Sequence, residues 1–422
     1  MKVFKFGGAS VKDAEGVKNL KRVLQQQGAE NTLIVVSAMG KMTNALESVV
    51  AAYFEEAEKV GGLLTGIQAD HFEIIDELFT SEVEVVKNQV LKLFKELKGF
   101  LNTNKSPNKS FVYDQVVSVG ELLSTTIIAA YLNAEGISTQ WLDARTAVKT
   151  NDYYRGADLD WALTKDRIGT QVNRSAISIT QGFIGSDSNN FTTTLGREGS
   201  DYTAAIYAYA LDAESVTIWK DVPGVLNADP RVFDNTQLLH QISYREAIEL
   251  AFYGASVIHP KTLQPLQRKE IPLYVKSFLN PENAGTAVAK GQTLVPELPC
   301  FILKKEQTLL RLSSLDFSFI VEDNISQIFS LLHQYQMRVE LIQNSAISFS
   351  VCVQNKYNRL EELVKALEST FKVTVYPNVN LYTIRHFDQA AIDRIRNNGK
   401  KILLEQRTQE TLQFVTSPTL EA

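Results

Sequence analysis

Cysteine is nearly missing from this chain: Cys300 and Cys352 are the only two in 422 residues. Two cysteines cannot form a disulfide framework, and the expected setting is a reducing cytoplasm. Histidine is also scarce. Five scattered histidines argue against a structural zinc site, and no metal-ligating set of side chains is expected. Positive charge is not in excess either. A net charge of −5 argues against a general nucleic-acid footprint. The opening "MKVFKFGGAS" has no apolar run to serve as a signal sequence, and no stretch reaches the ~18 uninterrupted apolar residues of a membrane span. Familiar motifs are absent as well. There is no Walker-type loop, no GxGxxG after a strand, no HExxH and no GxSxG. "MGKMT" has the Gly-Lys pair but not the upstream glycine.

What remains is an ordinary globular composition, 44% hydrophobic and 22% charged, long enough for two or three domains. The first part alternates short apolar strands with helices. "MKVFKFGG" ends in glycines, a helical pattern follows and stops at Gly28, and "TLIVVSAMG" is a fully apolar strand. Further buried strands are expected at Thr139–Leu142, Ala176–Thr180, Ser215–Trp219 and Ile271–Lys276, with helices over Gly120–Asn133 and Ser200–Leu211. Strands separated by helices imply an α/β fold, a mostly parallel sheet covered on both faces. Ligands of such sheets sit at the carboxyl ends of the strands, so the loops after Phe6, Val36, Thr180 and Trp219 should share one rim. The charged segment Phe54–Lys98 reads as a helical insertion with solvated faces. A Pro- and Gly-rich stretch around 281–300 reads as a linker after a catalytic domain over 1–280. Beyond it a βαββαβ pattern, ferredoxin-like, occupies 301–378. A second copy over 379–422 lacks its last helix and strand, although "CFILKK" before the first copy could donate a strand.

Five stretches on the expected rim carry candidate chemistry. In "KFGGAS", Gly7 and Gly8 let backbone N–H groups approach a ligand, the following helix offers its positive end, and Lys5 can project over the same spot; a tight turn with a surface lysine reads equally well. Ser37 and Thr43 in "VVSAMGKMTNAL" suit carboxylate or phosphate binding, or helix capping. Glu121 in "VVSVGELLS" can accept from a substrate ammonium or simply complement a helix dipole. In "GREGSD", Ser200 or Asp201 is expected to cap a helix, and Arg197 has the planar fork suited to a carboxylate. Lys220, Asp221 and Arg231 in "WKDVPGVLNADPRV" can hold a nucleotide, or can belong to a rigid surface turn.

Taken in order, "KFGGAS", "SAMGKMTNAL", "SVGELLS", "TQGFIGS", "TTTLGREGSDYTAA", "WKDVPGVLNADPRV", "FYGASVIHP" and the tandem ferredoxin-like tail resemble the aspartokinases of the amino-acid kinase superfamily. The resemblance covers nearly the whole chain. It implies an amino-acid kinase fold followed by ACT units, and transfer of a phosphoryl group from Mg-ATP to the β-carboxylate of L-aspartate. It further implies an end-product amino acid at the ACT units and a homodimer, with no nucleic-acid or membrane partner. Lys5 then looks like the lysine at the transferring phosphoryl group, Gly7 and Gly8 its backbone cradle, and Asp201 the acidic residue near the catalytic centre. Ser37, Thr43, Glu121, Phe183 and Arg197 match aspartate-holding positions. Lys220, Asp221, Arg231 and the position of Ser256 match nucleotide-binding ones. Magnesium would arrive with the nucleotide.

The chain departs from the family pattern at Ala9, Glu198, Leu226 and Ser256, where relatives usually carry Thr, Gly, Tyr and Lys. Lys220, where many relatives have Thr, is inferred to replace the lysine missing at Ser256. Glu198 is expected to turn away from the phosphates, toward solvent or a basic neighbour. Two other readings stay open: a catalytically weak amino-acid sensor, and a related kinase acting on glutamate or acetylglutamate. The effector is open between lysine, threonine and none, and weak or absent feedback inhibition is expected from the short second unit.

Overall fold

The structure, a computed structural model, describes residues 1–28, 30–255, 258–316, 318–397 and 399–418. They fall into two units. The first comprises 1–225, 238–248 and 257–295, and the second 226–237, 249–256 and 296–422.

The strands of the first unit are β1 (Lys2–Phe6), β2 (Thr32–Val36), β3 (Thr139–Leu142), β4 (Ile177–Gln181), β5 (Ile184–Ser186), β6 (Thr192–Thr194), β7 (Ser215–Lys220), β8 (Gln241–Ser243), β9 (Leu273–Ser277) and β10 (Thr286–Ala289). Eight of them form one sheet in the order β3-β4-β2-β1-β7-β9-β10-β8, parallel except between β9 and β10. Every residue of β2 is buried, as an apolar strand covered on both faces must be. Phe6 pairs in register with Val36 and with Trp219, and Val36 with Gln181. The four loops read as one rim therefore leave the sheet on the same side. β5 and β6 make a separate antiparallel hairpin above that rim.

The helices are α1 (Ala14–Gln27), α2 (Met42–Glu55), α3 (Val60–Leu78), α4 (Val83–Thr103), α5 (Lys109–Val117), α6 (Val119–Ala134), α7 (Ala144–Ala147), α8 (Trp161–Gln171), α9 (Gly199–Leu211), α10 (Tyr244–Tyr253) and α11 (Pro260–Lys269). α3 and α4 expose the charges of the 54–98 segment. Their other faces place Leu64, Ile67, Ile75, Val90 and Phe94 in the main core. The stretch Lys109–Ala134 is long and apolar enough to cross a membrane, yet 83% of its apolar window is buried, as in a core helix. The 281–300 segment is more than a linker: its β10 completes pairings with β8 and β9.

The second unit contains β11 (Cys300–Ser314), β12 (Arg338–Asn344), β13 (Ser348–Gln354), β14 (Phe371–Arg385), β15 (Ile402–Arg407) and β16 (Thr411–Thr416), with α12 (Glu322–Gln334), α13 (Leu360–Glu368) and α14 (Gln389–Arg396). Its six strands form one antiparallel sheet, β12-β13-β11-β14-β16-β15. The two ferredoxin-like copies share its two central strands. "CFILKK" and "LLRLSS" are one strand, β11, and "KVTVYP" and "VNLYTIRHF" are one strand, β14. The breaks suggested by the sequence are absorbed by register shifts between Lys304 and Leu309, next to Glu306 with its φ of 58°. Cys300–Lys304 pairs with Leu381–Arg385 and so supplies the strand that the second copy lacks. The halves β14-β11-β13-β12 and β11-β14-β16-β15 thus have the same arrangement.

Candidate active site

A cavity of about 300 Å³ opens on the rim of the first unit. Lys5 from β1, Ser37 after β2, Thr43 at the start of α2, Glu121 on α6, Phe183 after β4, Asp201 on α9 and Lys220 at the end of β7 all line it. Each comes from the carboxyl end of a strand or the first turn of a helix, so the sheet register is what brings them together.

The charged centre is a carboxylate between two ammonium groups. Lys5 Nζ lies 2.7 Å from Asp201 Oδ1, and Lys220 Nζ lies 3.7 Å from Asp201 Oδ2. Burial opposes ionisation of Asp201, but Lys5 and then Lys220 outweigh it and hold the carboxyl below its ordinary pKa. Asp201 does not cap α9, and neither does Ser200. The cap position is Glu198, with no side-chain cap bond, so the positive end of α9 faces the cavity through Gly199, Ser200 and Asp201. A Cβ on Gly199 would meet the Phe183 ring at 2.7 Å, which is why only glycine fits beneath that ring.

Glu121 is the second centre. Ala38 N–H donates to its Oε1 at 3.2 Å, while Oε2 is buried with no partner. Burial pushes its pKa up to about 8, with the Ala38 hydrogen bond and the charge of Lys5 pulling the other way. A buried carboxylate with one free oxygen is suited to a cation supplied by a ligand.

The remaining candidates are placed less centrally. Gly7 adjoins the Lys5 ammonium, and a Cβ there would stand 3.2 Å from Nζ. Gly8 packs against the backbone of the next rim loop, its carbonyl accepting from Gly40 N–H at 3.0 Å. No α-helix starts at these glycines. A short 3-10 turn covers Gly8–Val11, and the N-terminus of α1 is filled by Asp13, which accepts from Gly16 N–H. The positive helix end expected there is therefore occupied. Arg197 is exposed, between Gly196 and Glu198 of the cavity wall. Asp221 is exposed one residue beyond Lys220. Arg231 belongs to the second unit and pairs with Asp229 at 2.8 Å on the surface. Ser256 lies outside the described residues.

Glu198 does not turn to solvent as one alternative had it: it lines the cavity, its Oε2 is buried without a hydrogen bond, and His259 is the basic neighbour that the other alternative expected. Its backbone is left-handed, φ 53° and ψ 29°, which fixes the side chain's direction and explains why glycine is the easier residue there. His259 feels its charge: burial lowers the imidazole pKa while Glu198 pulls it up.

Asp114 is not apparent from the sequence. This buried carboxylate accepts from Arg155 N–H at 3.1 Å, Thr194 N–H at 2.8 Å and the Thr194 hydroxyl at 2.8 Å. It ties α5 to the hairpin that leads into the Arg197 loop. Burial pushes it up to about 6.

Residues 1–277 match the amino acid kinase family. The chain belongs to that family. Within it, the chain groups with the aspartokinases. It is 34% identical to lysine-sensitive aspartokinase 3 of Escherichia coli (strain K12) over 83% of this chain and 77% of the relative. It is 32% identical to chloroplastic aspartokinase 1 of Arabidopsis thaliana over 86% of this chain and 65% of the relative. Among solved structures, E. coli aspartokinase III in complex with aspartate and ADP superposes with a TM-score of 0.81 at 29% identity, covering 99% of this chain and 96% of the other. The lysine and aspartate complex of the same enzyme gives the same score over 98% and 95%. This chain thus has the amino-acid kinase fold over residues 1–277, followed by an antiparallel sheet consistent with ACT-type units.

Proposed function

We propose that this chain transfers the γ-phosphoryl group of Mg-ATP to the β-carboxylate of L-aspartate, giving 4-phospho-L-aspartate, the first step toward lysine, methionine and threonine. The observation that carries this reading is the meeting, in one cavity, of the Lys5–Asp201–Lys220 cluster with the half-satisfied carboxyl of Glu121. One centre suits a phosphoryl group and the other an ammonium. The E. coli relative bound to aspartate and ADP supports the same pairing of ligands.

The chemistry needs no general base. The β-carboxylate of aspartate, with a pKa of ~3.9, is already ionised at neutral pH, so the obstacle is bringing two anions together. Phosphoryl transfer then depends on positioning and charge neutralisation. Glu121 takes the substrate ammonium on Oε2, Arg197 closes on the α-carboxylate, Ser37 and Thr43 offer hydroxyls, and Phe183 forms the wall. Asp201 aims the Lys5 ammonium at the reacting phosphoryl, and Lys220 extends the positive charge toward the nucleotide, with Gly7, Gly8 and Asp221 assigned to the same ligand. Magnesium is assigned to the nucleotide, where it would neutralise phosphate charge.

An ADP-release assay offering aspartate, glutamate and acetylglutamate at equal concentration tests the reading. Turnover with aspartate alone is expected. Preference for either of the others would make it a different carboxylate kinase, and turnover with none would favour the sensor reading. We further assign the chain to the cytoplasm, as a homodimer paired through the first ACT unit, with lysine the first end-product amino acid to test as effector. A monomer in sedimentation at micromolar concentration would contradict the dimer.

A further inference from the structure

A second cavity, of about 440 Å³, lies where α7, α8 and the β5–β6 hairpin meet, and it shares no lining residue with the first. Its volume falls within the range of small-molecule sites. Arg145, Lys149 and Arg167 line it, with Asp143 the only carboxylate in its wall.

The cations are held differently. Arg145 is satisfied in place: its Nε and Nη2 lie 2.9 and 2.6 Å from the two oxygens of Asp143. The hydrogen bonds of Lys149 go to neutral groups, its ammonium donating to Ser186 Oγ at 2.7 Å and Asn190 Oδ1 at 3.3 Å, while the Asp143 carboxylate held by Arg145 also attracts its charge. Asp187 also lies near Lys149, but its carboxylate already accepts from Asn189 N–H, Phe191 N–H and the Tyr154 hydroxyl. Among the described residues neither Lys149 nor Arg167 is in an ion pair.

This arrangement is built rather than incidental. Lys149 N–H donates to the Thr164 hydroxyl at 2.9 Å, and that hydroxyl donates back to the Lys149 carbonyl at 3.2 Å, which fixes the lysine's backbone to α8. Ser186 donates to the Arg145 carbonyl at 2.7 Å and so locks the hairpin to α7. Burial, and then the adjacent Arg167, push the Lys149 ammonium below its ordinary pKa. Three cations thus share the wall with one carboxylate, Asp143, which Arg145 already engages on both oxygens, and a bound anion would relieve that excess of positive charge.

We propose that this cavity is a second anion site, taking a small phosphate-bearing molecule with at least two negative charges. An amino acid does not suit it, because the wall holds no unpartnered carboxylate for an ammonium, as Glu121 provides in the first cavity. A nucleic acid does not suit it either, given the net charge of −5. Binding here is independent of which carboxylate the first cavity phosphorylates.

Calorimetric titration of the full chain with pyrophosphate tests it, comparing the unaltered protein with Arg167→Ala, Lys149→Gln and Lys220→Thr. Removing a charge-assisted hydrogen bond should weaken binding by at least about tenfold in Arg167→Ala and in Lys149→Gln. Lys220→Thr, which alters the other cavity, should leave this binding event in place. Arg167 is exposed, so its variant should keep the melting temperature of the parent, and that measurement separates lost binding from lost fold. The proposal is overturned if the unaltered chain binds no pyrophosphate. It is equally overturned if the Arg167 and Lys149 variants bind as the parent does, or if only Lys220→Thr loses binding.

Discussion

Lys5 Nζ stands 2.7 Å from Asp201 Oδ1, and both side chains are almost wholly buried at the junction of β1 and the first turn of α9. A buried ion pair of this kind is weak evidence for stability, because desolvating both charges offsets much of their attraction. Its value here is positional. Asp201 pairs with Lys5 on one oxygen and faces Lys220 on the other, so a single carboxylate sets the positions of two ammonium groups, the pair that the proposed reaction directs at the phosphoryl group.

Lys220 carries the first prediction. If it took over from the lysine that relatives carry at position 256, Lys220→Thr should raise the KM for ATP by about tenfold, the scale of one hydrogen bond to a charged group. Adding Ser256→Lys should then recover much of that affinity. Steady-state kinetics of the double variant decide the matter, and an absence of rescue would show that the two lysines are not equivalent.

Glu198 gives the second. Its carboxylate lines a cavity that accepts two anions in the proposed reaction, and its left-handed backbone favours glycine. Glu198→Gly removes both disadvantages. The KM for ATP should fall roughly threefold to tenfold, as expected for one partly screened charge, and thermal stability should not decrease. A KM that stays the same or rises would mean that the carboxylate interacts favourably with a ligand.

Glu121 gives the third. With its pKa near 8, the carboxyl is largely protonated in the empty protein at pH 7 and must lose that proton to bind an ammonium. Aspartate binding should therefore strengthen as pH rises from about 6.5 to 8.5, an interval set by that pKa. Glu121→Gln should bind aspartate weakly with this slope abolished, while the KM for ATP stays nearly constant. Arg197→Ala should raise the KM for aspartate but keep the slope. A slope that survives in Glu121→Gln would assign the titration to another group.

Much of this architecture is legible in the sequence. Strand ends at Phe6, Val36 and Trp219 are marked by apolar runs that stop at glycine or polar residues, and the shared rim follows from parallel pairing. Three features are not legible, each for a physical reason. β11 and β14 look like two strands apiece, because Lys304–Gln307 and Pro377–Asn378 read as turns when only local chemistry is visible; long-range pairing carries the strand through them. Glu198 reads as facing away when charge is weighed without the backbone angle that fixes its direction. Asp114 gives no signal, since its partners Arg155 and Thr194 are distant in sequence and bind it mainly through backbone N–H groups.

In the proposed reaction the Lys5 cluster and Glu121 act together, and the product is the phosphorylated carboxylate. An acyl phosphate reacts with hydroxylamine, so the direct measurement is hydroxamate formation from aspartate and Mg-ATP in the presence of hydroxylamine. The unaltered chain should form aspartyl hydroxamate in step with ADP. Lys5→Ala should lose at least about 10²-fold of that rate, the scale of one preorganised charge removed from a transition state; its melting temperature should fall, because Asp201 is left buried with only Lys220 beside it, and circular dichroism at the assay temperature separates lost chemistry from lost fold. A Lys5→Ala protein that keeps half the rate, or ADP release without hydroxamate, would contradict the account.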